Sequence, residues 1–203
     1  MKVKKNIILI GAGGHCNSCI DVIEQEKKYN IIGLIDKKKN NSLSKYKLIG
    51  SDKDLKNLRN KFKNAFITIG QIKDLFAREK IFKIATKYKF NLPTIISPLA
   101  YVSKDSDVGQ GTIIMHGAIV NKYSKIGKNC IINTGSIIEH NTKIGDNCHI
   151  STGSIVNGGV TIGNNTFIGS GSVIKQNLVI GNACFVNAKK YLDKNLKNNS
   201  KLL

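Results

Sequence analysis

Residues 126–150 read IGKNCIINTGSIIEHNTKIGDNCHI. Every sixth position of this stretch, Ile126, Ile132, Ile138, Ile144 and Ile150, is isoleucine. The phase runs unbroken from Val102 to Val186, and each position in it is Ile or Val. Two residues before each stands a small residue, such as Ser136, Cys148 or Thr166, with Val160 and Leu178 as the exceptions. A 3.6-residue helix cannot hold a period of six, and the run is far too long for one strand. The period predicts a hexapeptide solenoid, in which each six-residue unit is one short face and a corner. The branched aliphatic and the small residue both point inward, because a narrow triangular core admits one bulky side chain per face.

A second period, of eighteen, makes the coil three-sided. Ile126-Gly127, Ile144-Gly145 and Ile162-Gly163 recur at that spacing, each followed two residues later by Asn129, Asn147 or Asn165. Glycine and asparagine tolerate positive φ, so one corner is marked in every coil. At strand spacing about five coils make a rod on the order of 25 Å long.

The chain has 203 residues and a formal charge of +19. Residues 1–93 hold 21 of the 32 Lys/Arg and 8 of the 13 Asp/Glu, so the front half carries most of the excess. No nucleic-acid motif accompanies the lysines, and the few aromatics are not interleaved with them as base stacking requires. The reading is a solvated lysine surface with a bias toward anionic ligands. The five cysteines make no disulfide framework: Cys130, Cys148 and Cys184 take the small inward place of the repeat, and Cys16 and Cys19 read as core-facing helix residues. With no leader or membrane-length apolar stretch, a soluble cytoplasmic protein is expected.

Residues 6–70 alternate strand and helix. Residues 6–10, Asn6 and the apolar run Ile7-Ile8-Leu9-Ile10, read as a strand of the buried parallel kind, followed by the turn Gly11-Ala12-Gly13-Gly14-His15. A helix is expected over 17–28, a strand over 30–35 ending at Asp36, a short helix over 53–61, a strand over 65–69 ending at Gly70, and a helix over 74–88. This is a half-size Rossmann-like unit whose ligand lies at the C-terminal strand ends. The dinucleotide fingerprint is incomplete, since its third glycine is replaced by Cys16, and the second mononucleotide half is missing. A nucleotide-linked substrate fits better than a redox cofactor: glycine-turn N–H groups can hold a diphosphate, and Asp36 can meet a ribose or base. The domains are therefore 1–93, a Rossmann-like acceptor domain; 94–188, the solenoid; and 189–203, a frayed basic tail with a possible helical turn.

Of the four histidines, His140 falls two residues after an inward Ile, at a corner and pointing out. His149 precedes Ile150 and points outward from a face. His116 lies 24 residues before His140 and so on a different edge. Such spacings do not converge on a metal as a zinc triad must.

The Gly11–His15 turn followed by repeats carrying 133–140 NTGSIIEH and 148–151 CHIS resembles the NeuD/PglD-type sugar acetyltransferases. The resemblance implies a left-handed parallel β-helix and homotrimers with an acetyl-CoA cleft between neighbouring solenoids. It implies His140 as general base, an imidazole being suited to proton transfer near neutral pH. It puts His149 on the acetyl-CoA side, the Gly158 N–H on the thioester carbonyl, and Ser170 and Ala188 along the coenzyme groove. Gly13, Gly14, His15, Asp36 and Gly70 would meet the nucleotide sugar. Two departures stand out. The acidic residue that follows the catalytic His in bacillosamine-type members is Asn141 here, which leaves Glu139 as another group to orient the imidazole. The usual Gly-x-Pro-Ala-Lys ending is replaced by Asn187-Ala188-Lys189-Lys190.

The expected activity is acetyl-CoA-dependent N-acetylation of a nucleotide-linked 4-amino sugar of the bacillosamine or legionaminic acid type, with no metal, nucleic-acid or membrane partner. O-acetylation of a sialic acid is the alternative. A catalytically silent scaffold and a γ-type carbonic anhydrase are the readings from other classes.

Overall fold

The computed structural model describes residues 3–37, 45–72, 74 and 76–203. In the front part β1 (Lys5–Ile10), β2 (Tyr29–Ile35), β3 (Leu48–Gly50) and β4 (Asn64–Ile67) form one parallel sheet in the order β3-β2-β1-β4. Both faces of β1 are covered, as a parallel sheet requires. Ile7 and Leu9 pack with Cys16, Cys19 and Ile23 of α1 (Gly14–Glu26). Ile8 and Ile10 pack with Leu55 and Leu58 of α2 (Leu55–Lys61) and with Ile81 and Ala85 of α3 (Ala77–Lys87). Cys16 and Cys19 are buried free thiols, and burial pushes that of Cys19 up to about 12. The first helix starts three residues before its expected position, because the Gly13-Gly14 turn itself opens it. The last starts at Ala77 rather than at 74, and residue 75 of that expected span lies outside the described residues.

The second part is a left-handed parallel β-helix of two-residue strands stacked into three faces of five, six and seven strands. Partners are eighteen residues apart, as in Ile126↔Ile144 and Ile138↔Val156. Inward isoleucines and valines form one continuous apolar column, and each fully buried one contributes about 1.5–3 kcal/mol. The Ile-Gly corner differs from the sequence reading in its cause. Asn129, Asn147 and Asn165 do hold φ near +56°, whereas Gly127, Gly145 and Gly163 do not have positive φ. They are glycine because the next coil passes too close. A β-carbon on Gly127 would stand 2.6 Å from the Gly145 carbonyl carbon.

Residues 189–203 are not a frayed tail. Tyr191–Leu192 pairs with Val173–Ile174, and Lys201–Leu202 pairs with Phe185–Val186. Leu192, Leu196 and Leu202 extend the inward column. The last coil is two residues short, since Ile180 bridges Leu196 rather than a residue eighteen further on.

The three outer faces differ. One carries Ile95, Ile113 and Ile131 outward, and these lie buried in the same cluster as α1 and β1; the α/β domain docks there. The second presents half-buried Ile119, Ile137, Ile155 and Val173 between Tyr101 and Tyr191, which are 59% and 64% exposed. The third is polar, with exposed Asp107, Lys125 and Lys143.

Two clefts and the histidines between them

Gly13, Gly14, His15, Asp36 and Gly70 all line one cleft of about 710 Å³ over the C-terminal ends of the strands. Gly11 makes the turn possible: it sits at φ +108°, and a β-carbon there would lie 2.6 Å from the Ile69 side chain. The Asp36 carboxylate accepts the Ala12 N–H at 2.7 Å, which ties the tip of β2 to the turn. His15 faces Gly70 across the cleft and lies 3.4 Å from the Cys19 thiol. Burial, then the Arg78 charge, then His149, lower its pKa to about 3, so the ring is neutral.

His149 points outward from its face, as its register requires, but the α/β domain covers it. Its Nδ1–H donates to the Gln71 carbonyl at 2.7 Å, and its Nε2 accepts from Asn133 Nδ2 at 3.1 Å. The ring stands edge-on to Phe167, which stacks on Phe185. Burial, with a further push from Arg78, holds its pKa at about 4. With both nitrogens engaged inside the chain, His149 braces the loop that ends the cleft at Gly70. It is not open at an outer surface.

Arg78 was not singled out in the sequence. It is wholly buried, and among the described residues its guanidinium donates to backbone carbonyls alone: Ile67 and Ile69 at the end of β4, Gly111 and Asn129 on the solenoid. Burial lowers its pKa to about 10. Gln71 is a second missed residue, and its Nε2 reaches the Asn147 carbonyl at 2.7 Å. No pattern in a lysine-rich chain marks either one.

His140 lies at the corner between the apolar and polar faces, in a cavity of about 500 Å³ shared with Glu139, Asn141 and Gly158. Its ring covers Gly158, one coil along. The Asn141 amide nitrogen lies 3.0 Å from Nδ1, while the Glu139 carboxylate turns away to accept from Asn121 at 3.0 Å. The orienting contact is therefore with Asn141. Among the described residues nothing accepts a hydrogen bond from the Gly158 N–H. Ser170 and Ala188 lie on another edge, between the domain-bearing and apolar faces, with Ser170 bonded to Ser151 at 2.9 Å.

His116 shares that edge and links Ser97 (2.6 Å) to Asp21 of α1 (2.8 Å). The Ser97 oxygen is taken up by this bond and by the Leu99 N–H, and the residue is buried, so the trio is a strut between domains. The three solenoid histidines thus leave from two edges and one covered face.

Residues 6–85 match the PglD N-terminal domain. Residues 123–158 and 141–176 match the bacterial transferase hexapeptide, and residues 159–194 the hexapeptide repeat of succinyl-transferase. Curated proteins yield no match. Among solved structures, a mutant of perosamine N-acetyltransferase from Caulobacter crescentus, in complex with CoA and GDP-perosamine, is 28% identical. That alignment covers 98% of this chain and 93% of the other, with a TM-score of 0.92. The acetyltransferase domain of PglB from Neisseria gonorrhoeae, in complex with acetyl coenzyme A, is 25% identical over 98% and 96% of the two chains, with a TM-score of 0.91. WeeI from Acinetobacter baumannii, 22% identical over 98% and 96% with a TM-score of 0.87, shares the fold.

Proposed function

The chain belongs to the NeuD/PglD-type hexapeptide-repeat sugar acetyltransferases, and on that premise we propose that it moves the acetyl group of acetyl-CoA to the amine of a nucleotide-linked 4-amino sugar. The observation that carries this reading is the His140 imidazole lying over Gly158, with the N–H of that glycine left without an acceptor.

In this reading Nε2 of His140 takes a proton from the acceptor nitrogen as that nitrogen attacks the thioester carbonyl. The Gly158 N–H donates to the oxygen of the tetrahedral intermediate. The carbon–sulfur bond then breaks, the amide forms, and the thiolate of CoA takes up a proton. Base catalysis at Nε2 requires the proton of the neutral ring on Nδ1. Asn141 supplies that state when its amide is rotated half a turn, so that Oδ1 accepts Nδ1–H.

The glycine turn at the start of α1 suits the diphosphate, since Gly13 and Gly14 line the cleft at the helix N-terminus. The two clefts share no lining residue. One overlies the domain-bearing face, and the other sits at the opposite edge of the prism, so one chain alone cannot bring its acceptor to its own base. The apolar face lies between the His140 edge and the Ser170/Ala188 edge. We assemble three chains through it, so that one solenoid supplies His140 and Gly158, and its neighbour the Ser170/Ala188 side of an acetyl-CoA groove. No helix among the described residues is long and apolar enough to cross a membrane, and the reaction is assigned to the cytoplasm, where acetyl-CoA and nucleotide sugars are made.

A thiol-release assay with acetyl-CoA and UDP- or GDP-linked 4-amino sugars, set against free and CMP-linked sialic acids, tests this. Turnover with an amino sugar, lost by roughly 100-fold or more in His140→Ala while the trimer persists in sedimentation, is expected. Turnover retained in that variant overturns the base assignment, and turnover only with sialic acids makes the enzyme an O-acetyltransferase.

A further inference from the structure

We propose that the end of the acceptor cleft farthest from the solenoid reads the nucleobase and is built for guanine, with Asp52 taking the N1–H and N2–H donors and Lys37 meeting O6. This rests on the reading of the α/β domain as the nucleotide-sugar site.

The cleft is asymmetric about the glycine turn. On one side it runs past the end of β4 to Thr68 and Gly70, toward the solenoid; on the other it runs past the end of β2 at Asp36 and Lys37 to Asp52, which follows β3. A second cavity of about 580 Å³ shares Asp36, Lys37 and Asp52 with the first, so the two make one continuous groove. Acetyl transfer needs the sugar at the solenoid end. With the diphosphate at the turn and the ribose at Asp36, the base falls over β3. There Leu48 and Gly50 line the groove, an apolar side chain and a bare backbone against which a base can lie.

The acids at this end differ in what they already bind. Asp54 accepts both the Ser51 N–H (2.8 Å) and the Ser51 hydroxyl (2.9 Å), closing a capping box. Asp36 holds the Ala12 N–H. Asp52 is met by Lys37 Nζ at 3.5 Å, its side chain 18% exposed while that of the lysine is 75% exposed. A sheltered carboxylate beside an exposed ammonium thus lines the place of the base.

The Watson–Crick edge of guanine runs acceptor, donor, donor. A carboxylate takes the two adjacent donors at once, and an ammonium beside it donates to O6. Uracil (acceptor, donor, acceptor) and cytosine (donor, acceptor, acceptor) each set a lone pair against the carboxylate. A site built this way rejects an analogue by leaving its buried acceptors unpaired.

Calorimetric titration of the intact protein with GDP, IDP, UDP and CDP tests the proposal without knowledge of the sugar. GDP binds at least about tenfold more tightly than UDP or CDP, a discrimination within the range of one bidentate base contact. IDP, which lacks the N2 amine, binds more weakly than GDP. Asp52→Asn erases the difference between GDP and IDP, and Lys37→Met weakens GDP by a smaller factor. UDP or CDP binding as tightly as GDP overturns the guanine assignment and leaves the nucleotide site standing. No binding of any nucleoside diphosphate, with acetyl-CoA still bound, overturns the acceptor-site reading itself. A GDP preference that survives in Asp52→Asn removes Asp52 as the reader.

Discussion

A β-carbon built on Gly158 would stand 2.7 Å from Cε1 and 2.8 Å from Nε2 of His140, one coil back along the solenoid. The backbone at Gly158 is outside the left-handed region, so alanine is admissible there and its methyl meets the imidazole. Gly158→Ala displaces the ring and leaves the coil intact. Positioned general bases are worth about 10²–10⁴ in rate, so kcat falls at least about tenfold while the melting temperature stays within a few degrees. Unchanged thiol release would take His140 out of the reaction.

Asn141 is the partner of His140 Nδ1 and sits at φ +59°, a conformation asparagine tolerates. Asn141→Asp sets a carboxylate beside the ring, which accepts Nδ1–H and leaves Nε2 free to act as the base, so kcat is retained. Asn141→Gly keeps the backbone and removes the amide, which lowers kcat with little change in either KM. An unchanged kcat in Asn141→Gly would show that the contact does not orient the base.

Arg78 joins the domains through two carbonyls on each side. Arg78→Met fills a similar volume but leaves buried acceptors unpaired, each costing about 1–3 kcal/mol. The expected loss is about 3 kcal/mol or more, with the single urea transition splitting as the α/β domain opens before the solenoid. Circular dichroism and hydrogen exchange at α1 and α3 amides follow it. One transition of wild-type stability would show the clamp to be dispensable.

His149 and His15 are held neutral, at about 4 and about 3 against 6.5 in the unfolded chain. Because the folded values are depressed, the unfolded chain binds protons that the folded one refuses. Stability is therefore full above pH 6.5, falls as the pH drops toward 4, and for His15 continues to fall toward 3. The His149 contribution is on the order of 3 kcal/mol. Melting temperatures between pH 7 and 4 decline in the wild type and decline less steeply in His149→Asn. Equal slopes would mean that His149 titrates freely.

Most of the solenoid is legible in residues 102–186 because each inward position meets the same surroundings in every coil. The last coil is not legible, since its two-residue shortening breaks the phase after Leu192, although Leu196 and Leu202 still find the column. In the candidate site, Gly13, Gly14 and His15 stand out as a turn, and the eighteen-residue spacing is enough to set Gly158 beside His140. The choice between Glu139 and Asn141 was open, because the two residues flanking His140 point in different directions and only their contacts separate them.

The sequence alone determined the period, the inward column, the edges on which the histidines stand and the Gly-rich turn. All of these follow from local backbone geometry and from apolar burial repeated at fixed spacing. Only the tertiary structure decided which of three faces the α/β domain covers. That choice buries His149 against Gln71, 78 residues away in the chain, sinks Arg78 between the domains and leaves the apolar second face uncovered by the α/β domain. An outward side chain takes its environment from whatever docks on it, and no short-range pattern records that.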